Sequence, residues 1–389
     1  MALAAFTCLT CGTPELEEVA EFGALPRVTS DCRAFPPGGR IAVCGSCGAV
    51  QKPTDAKWQA EVAAIYRQYE PYHQAGGVEQ AVMESGNGTP QRRSDVVLEK
   101  LLQIRPAPPV GRILDVGCGN GALLRAFAQK RPRWELFGHE LGERHAAALA
   151  TIPGFAKLYS GPLSEVPPGF DLITMMHALE HFTDPAAALA DLRTKLGAEG
   201  SLLIEVPNAE VNPFDLLIAD HASHFTRHDL ARLIGRAGMG TAMISDDWVT
   251  KEISAIASPN GPAAAAAAGP TPTQALDRVR AQVEWLNAVI GEARQAARGA
   301  AFGLFGTSIA ATWLFGQLDD RVDFFVDEDP SRRNTTLCGR PVRAPEEIPA
   351  GARVYVLLIP AAARAVTARL ARPLVEFHVP ADIGGGRSL

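Results

Sequence analysis

Three histidines fall within one short polar stretch, Asp220-His221-Ala222-Ser223-His224-Phe225-Thr226-Arg227-His228, which follows an apolar run. Imidazole is the side chain whose proton affinity lies nearest neutral pH, and an adjacent carboxylate orients the ring and raises its basicity. Asp220 with His221 and His224 therefore reads as a proton-handling set, for catalysis or for substrate binding. A metal site is the rival reading of His221 and His224, although zinc would need further ligands. Histidines that merely cap or fill a core are a third. Upstream, His177-Ala178-Leu179-Glu180-His181 offers two more imidazoles. Near the amino terminus, Cys8-Leu9-Thr10-Cys11 and Cys44-Gly45-Ser46-Cys47 are two CxxC pairs, each able to set two thiolates on one edge of a tetrahedral ion. Four cysteine ligands leave no open position for water, so the expectation is structural zinc, with unliganded thiols as the alternative.

These residues need elements to hold them. Ile113-Leu114-Asp115-Val116-Gly117-Cys118-Gly119-Asn120-Gly121 is an apolar run ending in a glycine turn, and Ala122 to Phe127 continues as a helix. Strand, turn and helix open a doubly wound α/β sheet. Its glycines let the backbone pass close beneath a flat ligand, and the next acidic strand end, Glu140, lies roughly 20 residues on, where a ribose would present its hydroxyls. A dinucleotide fold has similar spacing, but Asp115 beside the turn suits a cationic, phosphate-free ligand better than a pyrophosphate. The strand Asp171 to Met176 runs into His177 and His181 at the carboxyl end of the sheet, where ligands bind. His181 either faces that crevice or starts a helix over Asp184 to Leu196. A fifth strand, Ser201 to Val206, precedes the histidine-rich stretch, and Thr226 with Asp229 forms an N-cap pair for the helix beyond it. Strands at Thr241 to Ser245 and Trp248 to Ile256 are expected to finish the sheet with an antiparallel edge.

Length and composition set the frame. The chain has 389 residues, 47% hydrophobic and 21% charged, which is globular material for two or three domains. A net charge of -6 without a basic stripe argues against a nucleic-acid partner. No apolar run has the length of a membrane span and no secretion pattern opens the chain, so a cytoplasmic setting and a small-molecule ligand are expected. Cys32, Cys118 and Cys338 lack paired spacing and read as core or loop residues. The organisation expected is a zinc-binding segment with a lid over 1–75, a sheet domain over 76–258, an Ala/Pro/Gly-rich linker over 259–272 and a second Rossmann-like α/β unit over 273–389. Trp58, Val62, Ile65, Tyr66 and Tyr69 recur at helical spacing and read as a buried stripe. Tyr72, past Pro71, is either a lid phenol aimed at substrate or a loop anchor.

The glycine turn, the acidic strand end and the later Phe170-Asp171-Leu172-Ile173-Thr174 strand, in that order, resemble the class I S-adenosylmethionine-dependent methyltransferases. The resemblance implies S-adenosylmethionine (SAM) held by Asp115, Gly117, Gly119, Asn120, Gly121, Glu140, Leu141, Met176 and His177. Cysteine pairs, methyltransferase core and a second Rossmann-like unit, taken together, resemble the three-domain sugar C-methyltransferases, which act on nucleotide-linked keto-deoxysugars. That likeness implies structural zinc on Cys8, Cys11, Cys44 and Cys47, His221 as base with Asp220 as its carboxylate, His181 and His224 in the active site, and Tyr72 near substrate. Three positions depart from the family: Ile218 and His224 stand where it has tyrosines, and Ala310 where it has lysine. Methylation of oxygen and a catalytically silent SAM-binding module remain open beside carbon methylation.

Overall fold

The computed structural model describes residues 6–71, 77–79, 81–83, 90–262 and 269–384; Tyr72 lies outside the described residues. An amino-terminal segment this small buries too little surface to stand alone. Its short strands Leu16–Glu18, Ala42–Cys44 and Val50–Gln51 form an antiparallel sheet whose fourth strand, Ser223–His224, comes from the histidine-rich stretch. Helix α1 (Ala56–Tyr66) follows, its first turn closed by the Asp55 carboxylate accepting from the Trp58 amide. A hairpin, Ala81–Met83 with Pro90–Arg92, leads into α2 (Arg93–Ile104).

The central sheet contains β1 (Arg112–Val116), β2 (Glu135–His139), β3 (Phe155–Tyr159), β4 (Phe170–Met176), β5 (Leu196–Pro207), β6 (Gly240–Ser245) and β7 (Glu252–Ser258), in the spatial order 3-2-1-4-5-7-6. Strands β1 to β5 are parallel. β7 is antiparallel to both β5 and β6, so the sheet ends in the antiparallel edge expected from sequence, with β6 at the rim, β7 inside it and the second strand starting at Glu252 rather than Trp248. The reason lies in the side chains. Every residue of β7 is buried, as an inner strand requires, whereas β6 is partly or fully exposed at every position after Gly240 and takes the rim. Trp248 sits in the turn between them. Helices α3 (Ala122–Lys130), α4 (Ala146–Leu149), α5 (Pro185–Lys195) and α6 (Arg227–Arg236) cover the faces.

Beyond the linker, α7 (Pro272–Ala296) leads into a second sheet, with strands ordered Thr336–Leu337, Arg340–Arg343, Phe324–Val326, Phe302–Phe305, Ala352–Tyr355 and Val375–His378. All pairs but the first are parallel. One apolar core joins the two ends of the chain: Val19, Phe22, Leu25 and Val28 pack with Phe214, Leu216, Leu217 and Ile218 and with Trp285, Phe302 and Trp313. Among the described residues no helix is long and apolar enough to cross a membrane.

Candidate active site

The turn after β1 is held open by its glycines. Gly117 and Gly121 have φ of 74° and 83°, and an added Cβ would lie 2.8 Å from the Cβ of Ala178 in one case and 2.6 Å from Leu149 Cδ2 in the other. Both positions thus require glycine. Glu140, just past β2, accepts from the Gly119 amide at 3.0 Å and from the Leu141 amide at 2.9 Å, tying the turn to the acidic strand end. Leu141 itself is 71% exposed, an apolar face beside that carboxylate. Asp115 is buried, accepts from the Thr174 hydroxyl at 2.7 Å, and is pushed up to about 7 by burial. Asn120 donates to the Gly77 carbonyl at 2.7 Å, which draws the segment before the hairpin over the turn. Met176 is partly buried at the end of β4.

The histidine-rich stretch corrects the expected pairing. Asp215, and not Asp220, is the carboxylate that meets His221: its Oδ1 lies 2.8 Å from His221 Nδ1, and its Oδ2 lies 2.7 Å from His224 Nδ1. All three residues are buried. Burial opposes charge on Asp215, but the two imidazoles outweigh it and hold the carboxyl well below the usual range. An ionised carboxylate only accepts, so each ring donates from Nδ1, and in a neutral ring the lone pair then lies on Nε2. His224 is pushed down to about 4, chiefly by burial with Lys52 adding to it, so it stays neutral. Asp220 instead accepts from the amide and the hydroxyl of Ser30, and its backbone carbonyl lies 3.1 Å from His181 Nδ1. Physically, Asp220 follows a turn that points it toward the amino-terminal segment, while Asp215 sits in a 3-10 turn (Pro213–Leu217) beneath both rings.

His181 and His221 meet edge to face, ring centroids 4.7 Å apart, so the structure brings together two imidazoles from separate stretches. Tyr66 was a core stripe by spacing; its hydroxyl lies 3.0 Å from His181 Nδ1. Nothing in the sequence around Tyr66 marks that contact, because it crosses between α1 and the loop after β4. The amino-terminal segment also grips the histidine-rich backbone. The Lys52 amide donates to Ala222 O at 2.9 Å, Lys52 Nζ donates to Ile218 O, and Trp58 Nε1 donates to Ala219 O at 3.0 Å.

His177 adopts φ of 51°, an uncommon left-handed backbone for a residue with a Cβ. Its ring is clamped, Nε2 lying 3.1 Å from Glu252 and Nδ1 3.5 Å from Glu180. Burial opposes a charged ring here, yet Glu252 and Glu180 raise it to about 10. Buried Glu205 accompanies them, pushed up to about 7 by burial and by the Glu252 charge, and Arg93 lies 3.6 Å from Glu205 and 3.4 Å from Glu252.

The four paired cysteines converge. Cys8 and Cys47 sulfurs are 3.6 Å apart, as are those of Cys11 and Cys44, and no disulfide joins them. Four thiolates around a tetrahedral zinc stand roughly 3.8 Å apart. The donor set and its spacing therefore fit that ion.

Residues 91–240 match a family model described as a methyltransferase domain. With the glycine turn, the acidic strand end and the 3-2-1-4-5-7-6 sheet, this part of the chain is a SAM-dependent methyltransferase domain of the class I fold. A ubiquinone biosynthesis O-methyltransferase from Aeromonas salmonicida is 26% identical over 150 residues, 33% of this chain and 62% of that protein. A trans-aconitate 2-methyltransferase from Deinococcus radiodurans is 29% identical over 124 residues, 31% of this chain and 43% of that protein. Among solved structures, the mitomycin 7-O-methyltransferase aligns with a TM-score of 0.37 at 16% identity, covering 43% of this chain and 52% of that one. The chain spans about half the length of the curated relatives it matches.

Proposed function

We propose that the protein is an enzyme that transfers the methyl group of SAM to a carbon beside a ketone in a nucleotide-linked keto-deoxysugar or related carbohydrate. The observation that carries this reading is the buried Asp215–His221 pair at the carboxyl end of the sheet, in which the carboxylate engages Nδ1 and leaves Nε2 as the ring atom to take a proton. SAM supplies a methyl already activated on sulfonium, so the protein must chiefly align the acceptor and take one proton. Asp115, the glycine turn, Glu140, Leu141, Met176 and His177 are the residues assigned to SAM. His221 accepts the proton, Asp215 stabilises the imidazolium that results, and His181, set by Tyr66 and the Asp220 carbonyl, is assigned to the acceptor oxygen. His224 holds the second oxygen of Asp215 rather than contacting the acceptor. Tyr72 keeps its proposed substrate contact. Cys8, Cys11, Cys44 and Cys47 are assigned to structural zinc, in a cytoplasmic setting that keeps thiols reduced.

A second reading, transfer to a hydroxyl oxygen, draws on the relatives named above, two of which are O-methyltransferases by name. The test is incubation with methyl-labelled SAM and a panel of nucleotide keto-deoxysugars, hydroxylated sugars and small acids, the methyl position being read by NMR. A new carbon-bound methyl on a keto sugar supports the first reading and an O-methyl the second. SAM bound without turnover on any acceptor would leave a silent binding module.

A further inference from the structure

Glu180 is 1% exposed, and neither of its carboxylate oxygens has a hydrogen-bond partner among the described residues. The charged His177 ring, its Nδ1 3.5 Å from Oε1, balances the carboxylate's charge without closing a hydrogen bond, so both oxygens keep lone pairs to offer. On the side away from His177, its neighbours are the rings of His181 and His221. One ligand atom each from Glu180, His181 and His221 lie within 4.8 Å of one another. His221 uses Nδ1 toward Asp215, which leaves Nε2, 4.0 Å from Glu180 Oε1. His181 Nδ1 faces the Asp220 carbonyl and the Tyr66 hydroxyl, which leaves its own Nε2. Metal-bound histidines characteristically have the second ring nitrogen fixed by a carboxylate or a carbonyl, and both rings are fixed that way here.

Two other groupings are weaker. Asp215, His221 and His224 already satisfy one another at 2.7 and 2.8 Å. His177, Glu205 and Glu252 have the Arg93 guanidinium among them, so a cation is already present.

We propose that Glu180, His181 and His221 form a second metal site, for a borderline divalent ion such as Zn2+ or Co2+, and that loading it blocks methyl transfer. The blocking role rests on the reading of His221 as proton acceptor: an ion on Nε2 takes the lone pair that the acceptor's proton needs. Imidazole and carboxylate ligands suit such ions, and three protein ligands leave one position for water. Donor atoms around a tetrahedral ion of this size stand roughly 3.3 Å apart, so the side chains have to close in by about an ångström. The site differs from the cysteine cluster in both ligand chemistry and place.

The test adds Co2+ to full-length protein whose cysteine cluster already holds zinc. The expected result is visible d–d absorption without thiolate charge-transfer bands, lost in Glu180→Gln and in His181→Asn, and reached only at about tenfold higher Co2+ in Asp215→Asn, where the ring loses its anchoring carboxylate. Thermal unfolding and zinc content of each variant check that it is folded, and either of the first two variants suffices. Co2+ is also expected to suppress turnover, and a chelator too weak to strip the cysteine cluster to restore it. No new absorption, or absorption that survives both substitutions, overturns the site. Turnover that requires the added ion overturns its blocking role. Cobalt binding in a protein with no turnover on any acceptor would sink the methyl-transfer reading while leaving the site intact.

Discussion

Asp215 carries the sharpest consequence at the level of single residues. Asp215→Asn keeps the side chain's shape but removes the charge that fixes both histidine tautomers, and turnover is expected to fall by roughly 10²- to 10⁴-fold, the usual contribution of a positioned base. Asp220→Asn, which disturbs only the Ser30 contact and the neighbourhood of His181, is expected to cost far less. Equal losses in steady-state rates for the two variants would show that the pairing is wrong. Asp115 yields a prediction with a sign. Its folded-state pKa is raised to about 7, so the folded protein holds that proton more tightly than the unfolded chain, and stability declines as pH climbs from the ordinary aspartate range toward 7, then levels off. Asp115→Asn, which can still accept from Thr174, removes that decline. Melting temperatures should diverge in favour of the variant between pH 5 and pH 8, while calorimetry shows SAM binding weakened by about tenfold, the scale of one charge-assisted contact. A constant difference across that range would rule out Asp115 as the source. The two acids also show where sequence stops being informative. Asp115 is readable because its turn is local, whereas Asp215 lies within Phe214-Asp215-Leu216-Leu217-Ile218 and its partners come six and nine residues later, through a fold in the chain that no periodicity encodes.

Between elements, the pairing of Val50–Gln51 with Ser223–His224 decides how the histidines are held. Disrupting the proposed zinc site, by Cys44→Ser or by chelation, is expected to accelerate amide exchange at Val50 and Gln51 and, together with them, across Ile218 to His224. Mass spectrometry of exchange reads this directly, and unchanged protection of the histidine segment would refute the coupling. Local signals fared well at this scale. Thr226 and Asp229 do form the capping box at the start of α6, and Thr226→Ala should cost about 1 kcal/mol in denaturant unfolding. The glycine turn likewise sits where its spacing places it. The position of β7 was not legible in the same way, since neighbouring strands in sequence are ordinarily neighbours in space and the insertion between β5 and β6 depends on burial on both faces.

Across the whole molecule, the shared core means that the ends of the chain support each other. Phe22 and Val28 from the first segment, Phe214 and Leu217 from the middle, and Trp285, Phe302 and Trp313 from the last segment form one cluster. A fragment ending at residue 262 would expose one side of it, and is expected to aggregate or to melt at a much lower temperature than the full chain, as light scattering and calorimetry would show. A soluble fragment with an unaltered melting profile would contradict this. Such long-range packing is invisible in a sequence read in windows, although the order of the α/β units was visible because each repeats a strand-turn-helix period.

The strand Ser223–His224 has a consequence for how this architecture is inherited. Because it completes a sheet begun by the cysteine-bearing segment, the heritable unit is not a contiguous stretch of gene. Recombination that exchanges residues 6–71 alone would leave a foreign sheet edge against the old histidines. Residues 6–71 and 213–225 have to travel together, and lineages that traded the first without the second would have had to rebuild the seam between them.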